Sequence, residues 1–348
     1  MRAITVGPGE PDSAALEEMP EPAPEEGAIL VDGIALGICG TDVEIVRGDY
    51  GEAPEGSERL ILGHESLGRV REAPGDSGFA PGDLVVGIVR RPDPVPCASC
   101  AAGEWDFCRN GEFTERGIKA RHGYGSERWR IEPDFAVKLD PSLDVLGVLM
   151  EPTTVVAKAW EQIDRILTRA SIGPAHVLVT GAGPIGLLAA LLAKQRGYDV
   201  HVLDRTTEGP KPQLVADLGA TYHTTAVLDV DPAPDIIVEA TGASQVVLDA
   251  MSHTGANGIV CLTGISSGGH AIELDAAMLN RTLVLENDLV FGSVNANRRH
   301  YEAAAEALAQ AERPWLERLI TRRVPLDRWH DALAREPHDI KVVVELGA

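Results

Sequence analysis

Gly181-Ala-Gly183-Pro184-Ile185-Gly186 stands between the apolar stretch Val177-Leu-Val-Thr and an Ala/Leu-rich segment running from Pro184 to Gln195. Three glycines at this spacing, with a strand before them and a helix behind, confine the chain to few folds. The first glycine permits a tight turn, the second lets the backbone approach a pyrophosphate, and the third lets the helix pack closely on the sheet. Phosphates then rest on the helix N-terminus, next to Pro184 and Ile185. A dinucleotide-binding turn is expected. The following strand ends in Asp204-Arg205. Asp204 is placed to accept hydrogen bonds from the adenosine ribose hydroxyls and to repel a 2′-phosphate, which favours NAD. Arg205 keeps NADP open, because a guanidinium there could hold that phosphate or stack on adenine.

The rhythm around this turn extends the argument. Strand-like runs at Asp199–Asp204, Asp235–Ala240, Gly258–Leu262 and Leu289–Gly292 alternate with helical segments, which predicts a doubly wound parallel sheet. Residues before about 150 differ. Short β-branched runs such as Ile29–Val31, Gly68–Val70 and Leu84–Val89 are broken by Gly and Pro, as in a small irregular β-barrel. Residues 300–311 predict a further helix and Lys341-Val-Val-Val-Glu-Leu a last strand.

Charge narrows the partners. The 348 residues carry 53 Asp+Glu against 31 Lys+Arg, a net −22. Such a field repels phosphodiester backbones and anionic lipid, so neither nucleic acid nor membrane is an expected partner. No apolar run approaches the roughly 18 residues of a membrane span, and the opening Met-Arg-Ala-Ile-Thr-Val has no secretory pattern. A cytoplasmic chain is expected. Its cysteines number five, three of them bunched at Cys97, Cys100 and Cys108, which in a reducing compartment favours metal over disulfide.

A second constellation consists of Cys39-Gly-Thr41-Asp42, Gly63-His64-Glu65 and Glu151-Pro. Catalytic zinc takes three protein ligands from thiolate, imidazole and carboxylate and keeps a fourth position open. Taken alone, one Cys, one His and one Glu spread so far apart define no site. Asp42 reads as a helix cap, His122 as a hydrogen-bonded structural histidine and Cys261 as a small buried hydrophobe.

These stretches, in this order with Pro81-Gly-Asp-Leu-Val and the glycine turn, resemble the zinc-dependent medium-chain alcohol/polyol dehydrogenases. Within that superfamily the chain is most similar to the microbial and archaeal glucose 1-dehydrogenases. The closer markers are Val89-Arg-Arg-Pro, Phe113-Thr-Glu115-Arg-Gly-Ile, His122-Gly-Tyr-Gly-Ser-Glu, Glu151-Pro and Gly292-Ser-Val-Asn295.

The resemblance implies an α/β chain with a GroES-like β-barrel catalytic domain (1–154 and 293–348) and a Rossmann nucleotide-binding domain (155–292). It implies zinc held by Cys39, His64 and Glu151, with Glu65 bound directly or through water. Thr41 would pass on the substrate proton, and Glu115 and Asn295 would meet sugar hydroxyls. The implied reaction moves hydride from a sugar or polyol hydroxyl, foremost C1 of glucose or a related aldose, to NAD(P). Another polyol, an amino-cyclitol or a secondary alcohol is the alternative substrate; a zinc-free reductase or a non-enzymatic nucleotide-binding relative is the alternative class. Relatives of this type imply a homodimer or homotetramer, joined along residues 283–292. Where the family carries a four-cysteine zinc lobe, this chain has only Cys97, Cys100 and Cys108, with Pro94 at the first position and Asp93 beside it. Two readings stay open: a zinc site completed by Asp93, or a loop of reduced thiols.

Overall fold

A computed structural model describes residues 1–171, 175–266 and 271–347. The chain forms two compact units, one of residues 1–154, 295–309 and 320–348, the other of residues 155–294 and 310–319.

The second unit is built on six parallel strands in the order Thr221–His223, Asp199–Leu203, His176–Thr180, Ile236–Glu239, Ile259–Leu262 and Leu289–Gly292. Numbered along the chain, that order is 3-2-1-4-5-6, so the sheet reverses direction beside the strand that precedes Gly181. The strand His176–Thr180 is buried throughout, because a parallel sheet is covered on both faces. The helix Pro184–Gln195 follows, with every residue from Gly186 to Ala193 buried.

In the first unit the main sheet runs Ala136–Lys138, Leu84–Gly87, Glu65–Glu72, Ile29–Ile38, Lys341–Glu345, Ile320–Pro325, with Arg128–Ile131 also pairing on Ile29–Ile38. The expected run at Ile29 is the start of a ten-residue strand. Its far end matters most. Gly37 pairs with Glu65 on one side and Val343 on the other, and Ile38 pairs with Val342. Three segments remote in sequence therefore meet at one sheet end. The core beneath includes Leu36, Ile45, Val70, Val85, Tyr124 and Trp129, the last two rings edge-to-face at 4.8 Å.

Two expectations need correction. Residues 310–319 belong with the nucleotide-binding sheet: Trp315 is buried there and its Nε1 donates to the Leu214 carbonyl at 2.8 Å, while Arg318 pairs with Asp217 at 2.6 Å. Residues 293 and 294 join the same unit, where Lys158 Nζ donates to the Val294 carbonyl at 3.0 Å. Of the expected contact segment 283–292, only the end is strand. Residues up to Glu286 finish the helix Ala276–Glu286, which Asn287 terminates in a left-handed conformation (φ 59°), and only Leu289–Gly292 is strand. Among the described residues, no helix is long and apolar enough to cross a membrane.

Candidate active site

Cys39 follows the strand Ile29–Ile38 and caps the helix Gly40–Val46; His64 immediately precedes the strand Glu65–Glu72. Register thus carries their side chains together. One donor atom each of Cys39, His64 and Glu65 lies within 4.8 Å of the others. Asp42, fully buried, has two tasks. Its Oδ2 accepts the Cys39 backbone N–H at 2.9 Å, and its Oδ1 faces His64 Nδ1 at 3.5 Å. Burial alone would lower the His64 imidazole, but the Asp42 carboxylate and Cys39 outweigh it and hold the ring well above its usual value.

Behind the trio, Lys341 Nζ donates to both oxygens of Glu65, at 2.6 and 2.5 Å, and to the Ile38 carbonyl at 3.2 Å. Gly37 makes room for this carboxylate: a Cβ there would come within 2.0 Å of Glu65 Oε2. Glu151 stands in the first turn of the helix Met150–Leu167, outside the Cys39–His64–Glu65 cluster. Burial pushes its carboxyl up to about 7, opposed by the charge of His64. Thr41 is half-buried in the first turn after Cys39. Sulfur, imidazole and carboxylate converging within 4.8 Å, with the Asp42 carboxylate facing the imidazole, match the donor chemistry of zinc.

Glu115 and Asn295 also meet. Asn295 Nδ2 donates to Glu115 Oε1 at 2.5 Å, and Arg90 Nε donates to the same oxygen at 3.0 Å. Arg90 pairs with Glu115 across two antiparallel strands and lies 3.6 Å from the centre of the Phe113 ring. Asn295 holds a left-handed backbone (φ 64°) and its Oδ1 accepts the Ala296 N–H. His122 is structural as expected, its Nδ1 accepting the Ile61 N–H at 3.1 Å.

In the nucleotide-binding unit Gly181 takes φ 90°, Gly183 caps the helix and Pro184 opens it. A Cβ on Gly186 would lie 1.8 Å from the Gly181 carbonyl oxygen, so only glycine permits that approach. Asp204 is held by donors of the turn and the next helix. Its Oδ2 accepts from the Ala182 N–H at 2.8 Å and from Lys211 Nζ at 3.0 Å, and its Oδ1 accepts from the Thr206 N–H at 2.9 Å. Burial would raise this carboxyl, but those donors override it and bring it down to about 2. Arg205 is exposed beside it.

Residues 25–141 match the family described as alcohol dehydrogenase GroES-like domain, and residues 144–346 the family described as glucose dehydrogenase C-terminus. The chain belongs to the glucose dehydrogenase family, within the zinc-type medium-chain alcohol dehydrogenases. It is 40% identical to a glucose 1-dehydrogenase of Methanocella arvoryzae, with 100% of both chains covered, and 38% identical to glucose 1-dehydrogenase 1 of Caldivirga maquilingensis, with 99% of each covered. Among solved structures, Haloferax mediterranei glucose dehydrogenase in complex with NADP, Zn and gluconolactone superposes with a TM-score of 0.92 at 34% identity, covering 100% of both chains.

The cysteine lobe has three thiols close together. Sulfurs of Cys97, Cys100 and Cys108 lie within 4.8 Å of one another. Backbone N–H groups of Arg109 and Cys100 donate to Cys97 Sγ and pull its thiol down to about 6, whereas burial pushes Cys100 up to about 11. Asp93 stays outside the sulfur cluster; its oxygens accept from the Val95 N–H and Asn110 Nδ2, each at 2.7 Å. Cys261 is a buried strand residue whose thiol burial pushes up to about 12. Sequence reasoning missed Lys341 and Lys211 as site residues. Each reads as an ordinary strand or helix residue, and only tertiary pairing reveals its carboxylate.

Proposed function

We propose that this chain oxidises the C1 hydroxyl of glucose or a related aldose to the lactone, with zinc at Cys39 and His64 and a nicotinamide dinucleotide as hydride acceptor. The convergence of the Cys39, His64 and Glu65 donors carries this reading, and the gluconolactone complex of the Haloferax relative supports it. Zinc bound there supplies the Lewis acidity that lowers the pKa of an alcohol. The protein supplies the rest. Asp42 faces the His64 imidazole, Lys341 holds Glu65, and the half-buried Thr41 hydroxyl would accept the proton leaving the substrate. Glu151, from the helix Met150–Leu167, adds a further carboxylate as a ligand.

The Glu115–Asn295 pair gives the sugar assignment its support. Arg90 and Asn295 both bond Oε1, which fixes the carboxylate plane for a polyol. A site built to hydrogen-bond hydroxyls discriminates strongly against substrates that lack them. For the cofactor, the charge of Asp204 is compensated by Lys211 and two amides, so it no longer opposes a 2′-phosphate, and Arg205 can pair with one. NADP is therefore accepted alongside NAD.

Self-association along Leu289–Gly292 fits the same reading. That strand ends the sheet, and Met278, Val284, Leu285 and Val294 nearby in sequence expose apolar surface. Free thiols at all five cysteines suit the cytoplasm. A panel of aldoses, polyols, cyclitols and secondary alcohols, followed by nicotinamide absorbance with both cofactors, tests the assignment. Glucose or a close aldose should lead by kcat/KM; a simple secondary alcohol outperforming every aldose overturns it.

A further inference from the structure

Three histidines on consecutive strands of the nucleotide-binding sheet form a cluster that the dehydrogenase reaction does not use. His201 pairs with Leu178, two residues beyond His176, and with Thr221, two residues before His223. Residues two apart on a strand share a face, so all three imidazoles rise from one side of the sheet. The His176 and His201 rings meet edge to face at 4.2 Å, and those of His201 and His223 stack at 4.9 Å. His201 Nδ1 and His223 Nε2 share a hydrogen bond at 2.6 Å, while His201 Nε2 lies 3.5 Å from Asp199 Oδ2.

The decisive detail is His176. It is 8% exposed, and neither ring nitrogen has a hydrogen-bond partner among the described residues. A buried imidazole left unpaired costs desolvation with no return. One donor atom each of His176, Asp199 and His201 lies within 4.8 Å of the others. We propose that His176, His201 and Asp199 form a second site for a borderline first-row divalent cation such as Zn²⁺ or Ni²⁺, built from residues other than Cys39, His64 and the cysteine lobe.

The chemistry is consistent at each atom. Imidazole nitrogen with one carboxylate suits these ions. His201 ligates through Nε2, and its Nδ1–H donates to His223 Nε2, which fixes the tautomer as partners of ligating histidines do. Asp199, with a side chain 74% exposed, opens the pocket to solvent and supplies negative charge. A bound ion would tie the first two strands together and, through His223, the three-residue edge strand.

The test counts metal on zinc-loaded holoenzyme dialysed against rising free Zn²⁺, with zinc per chain measured by mass spectrometry and histidine ring ¹⁵N resonances followed in parallel. Wild type should take up one zinc per chain more than His201→Ala, with shifts at His176 and His201. Asp199→Asn and His223→Gln, at more exposed positions that keep the variants folded, should weaken that extra uptake at least about tenfold. Equal zinc uptake by wild type, His201→Ala and Asp199→Asn overturns the proposal. So do ring resonances that answer to pH but not to Zn²⁺, which would make the cluster a shared proton.

Discussion

Lys341 Nζ lies 2.6 and 2.5 Å from the two oxygens of Glu65, and both side chains are all but inaccessible to solvent. Burial alone would discharge this ammonium, yet the Glu65 carboxylate holds it above its usual value. Removing one partner of such a pair strands a buried charge, at a cost of about 3–5 kcal/mol. Lys341→Met should lose stability on that scale in urea unfolding of the zinc-loaded enzyme. The double variant Glu65→Gln/Lys341→Met should recover most of it. A loss below about 1 kcal/mol for Lys341→Met would mean that the carboxylate finds another partner.

Asp42→Asn isolates the orientation of His64 from the helix cap, since an amide oxygen still accepts the Cys39 N–H. The variant should keep its thermal stability but lose about 10–100-fold in zinc affinity or kcat. Cys39→Ala and His64→Ala should abolish turnover while NADP binding, measured by quenching or calorimetry, persists. Full activity of metal-stripped His64→Ala would end the zinc mechanism.

Legibility in the sequence tracked how local the physics was. The glycine turn was readable because φ 90° at Gly181 and the Gly186 approach are requirements met within six residues. The helix Pro184–Gln195 carried its own period and its own start signal. Asp42 was readable as a cap, a contact three residues away, but not as the partner of His64, which needs the register of Ile29–Ile38 against Glu65–Glu72. Lys341 begins an apolar strand, and nothing adjacent to it signals that the strand lies beside Gly37. The Cys39–His64–Glu65 cluster entered through family resemblance alone, because no periodicity links its members. Asp204 was found as an acidic strand end, while its actual donors, Ala182 and Lys211, come from the turn and the next helix. Residues 310–319 went to the other unit because a single buried Trp315 outweighs sequence proximity.

Asn295 and Glu115 come from segments 180 residues apart and share one hydrogen bond. Asn295→Ala removes a donor to the carboxylate and leaves a buried acceptor with fewer partners. Its kcat/KM for glucose should fall about 10–100-fold, the effect of one to two lost polar contacts, while oxidation of a simple alcohol changes little. Steady-state kinetics on the two substrates separates recognition from a general loss of folding, which would depress both alike.

Arg205 is the exposed cation next to a carboxylate that already has three donors. Arg205→Ala should raise KM for NADP about tenfold, roughly one charge-assisted hydrogen bond, with KM for NAD nearly unchanged. Equal effects on the two cofactors would place the guanidinium on adenine and not on the 2′-phosphate.

Asp204 links the nucleotide turn to acid stability. Its carboxyl falls from the usual 3.8 to about 2 in the folded chain, against burial and in favour of the Ala182 and Thr206 amides and Lys211. A depressed carboxyl contributes stability that is complete above its unfolded value and is lost as pH falls through the folded one. The window here is therefore about pH 4 down to about pH 2. In Asp204→Asn this increment is missing at neutral pH, so the variant should be less stable there yet show a shallower decline on acidification. Urea midpoints at pH 7, 4 and 3 read both effects. Parallel acid limbs for wild type and Asp204→Asn would show that the carboxylate gains nothing from Ala182, Thr206 and Lys211 in the folded protein.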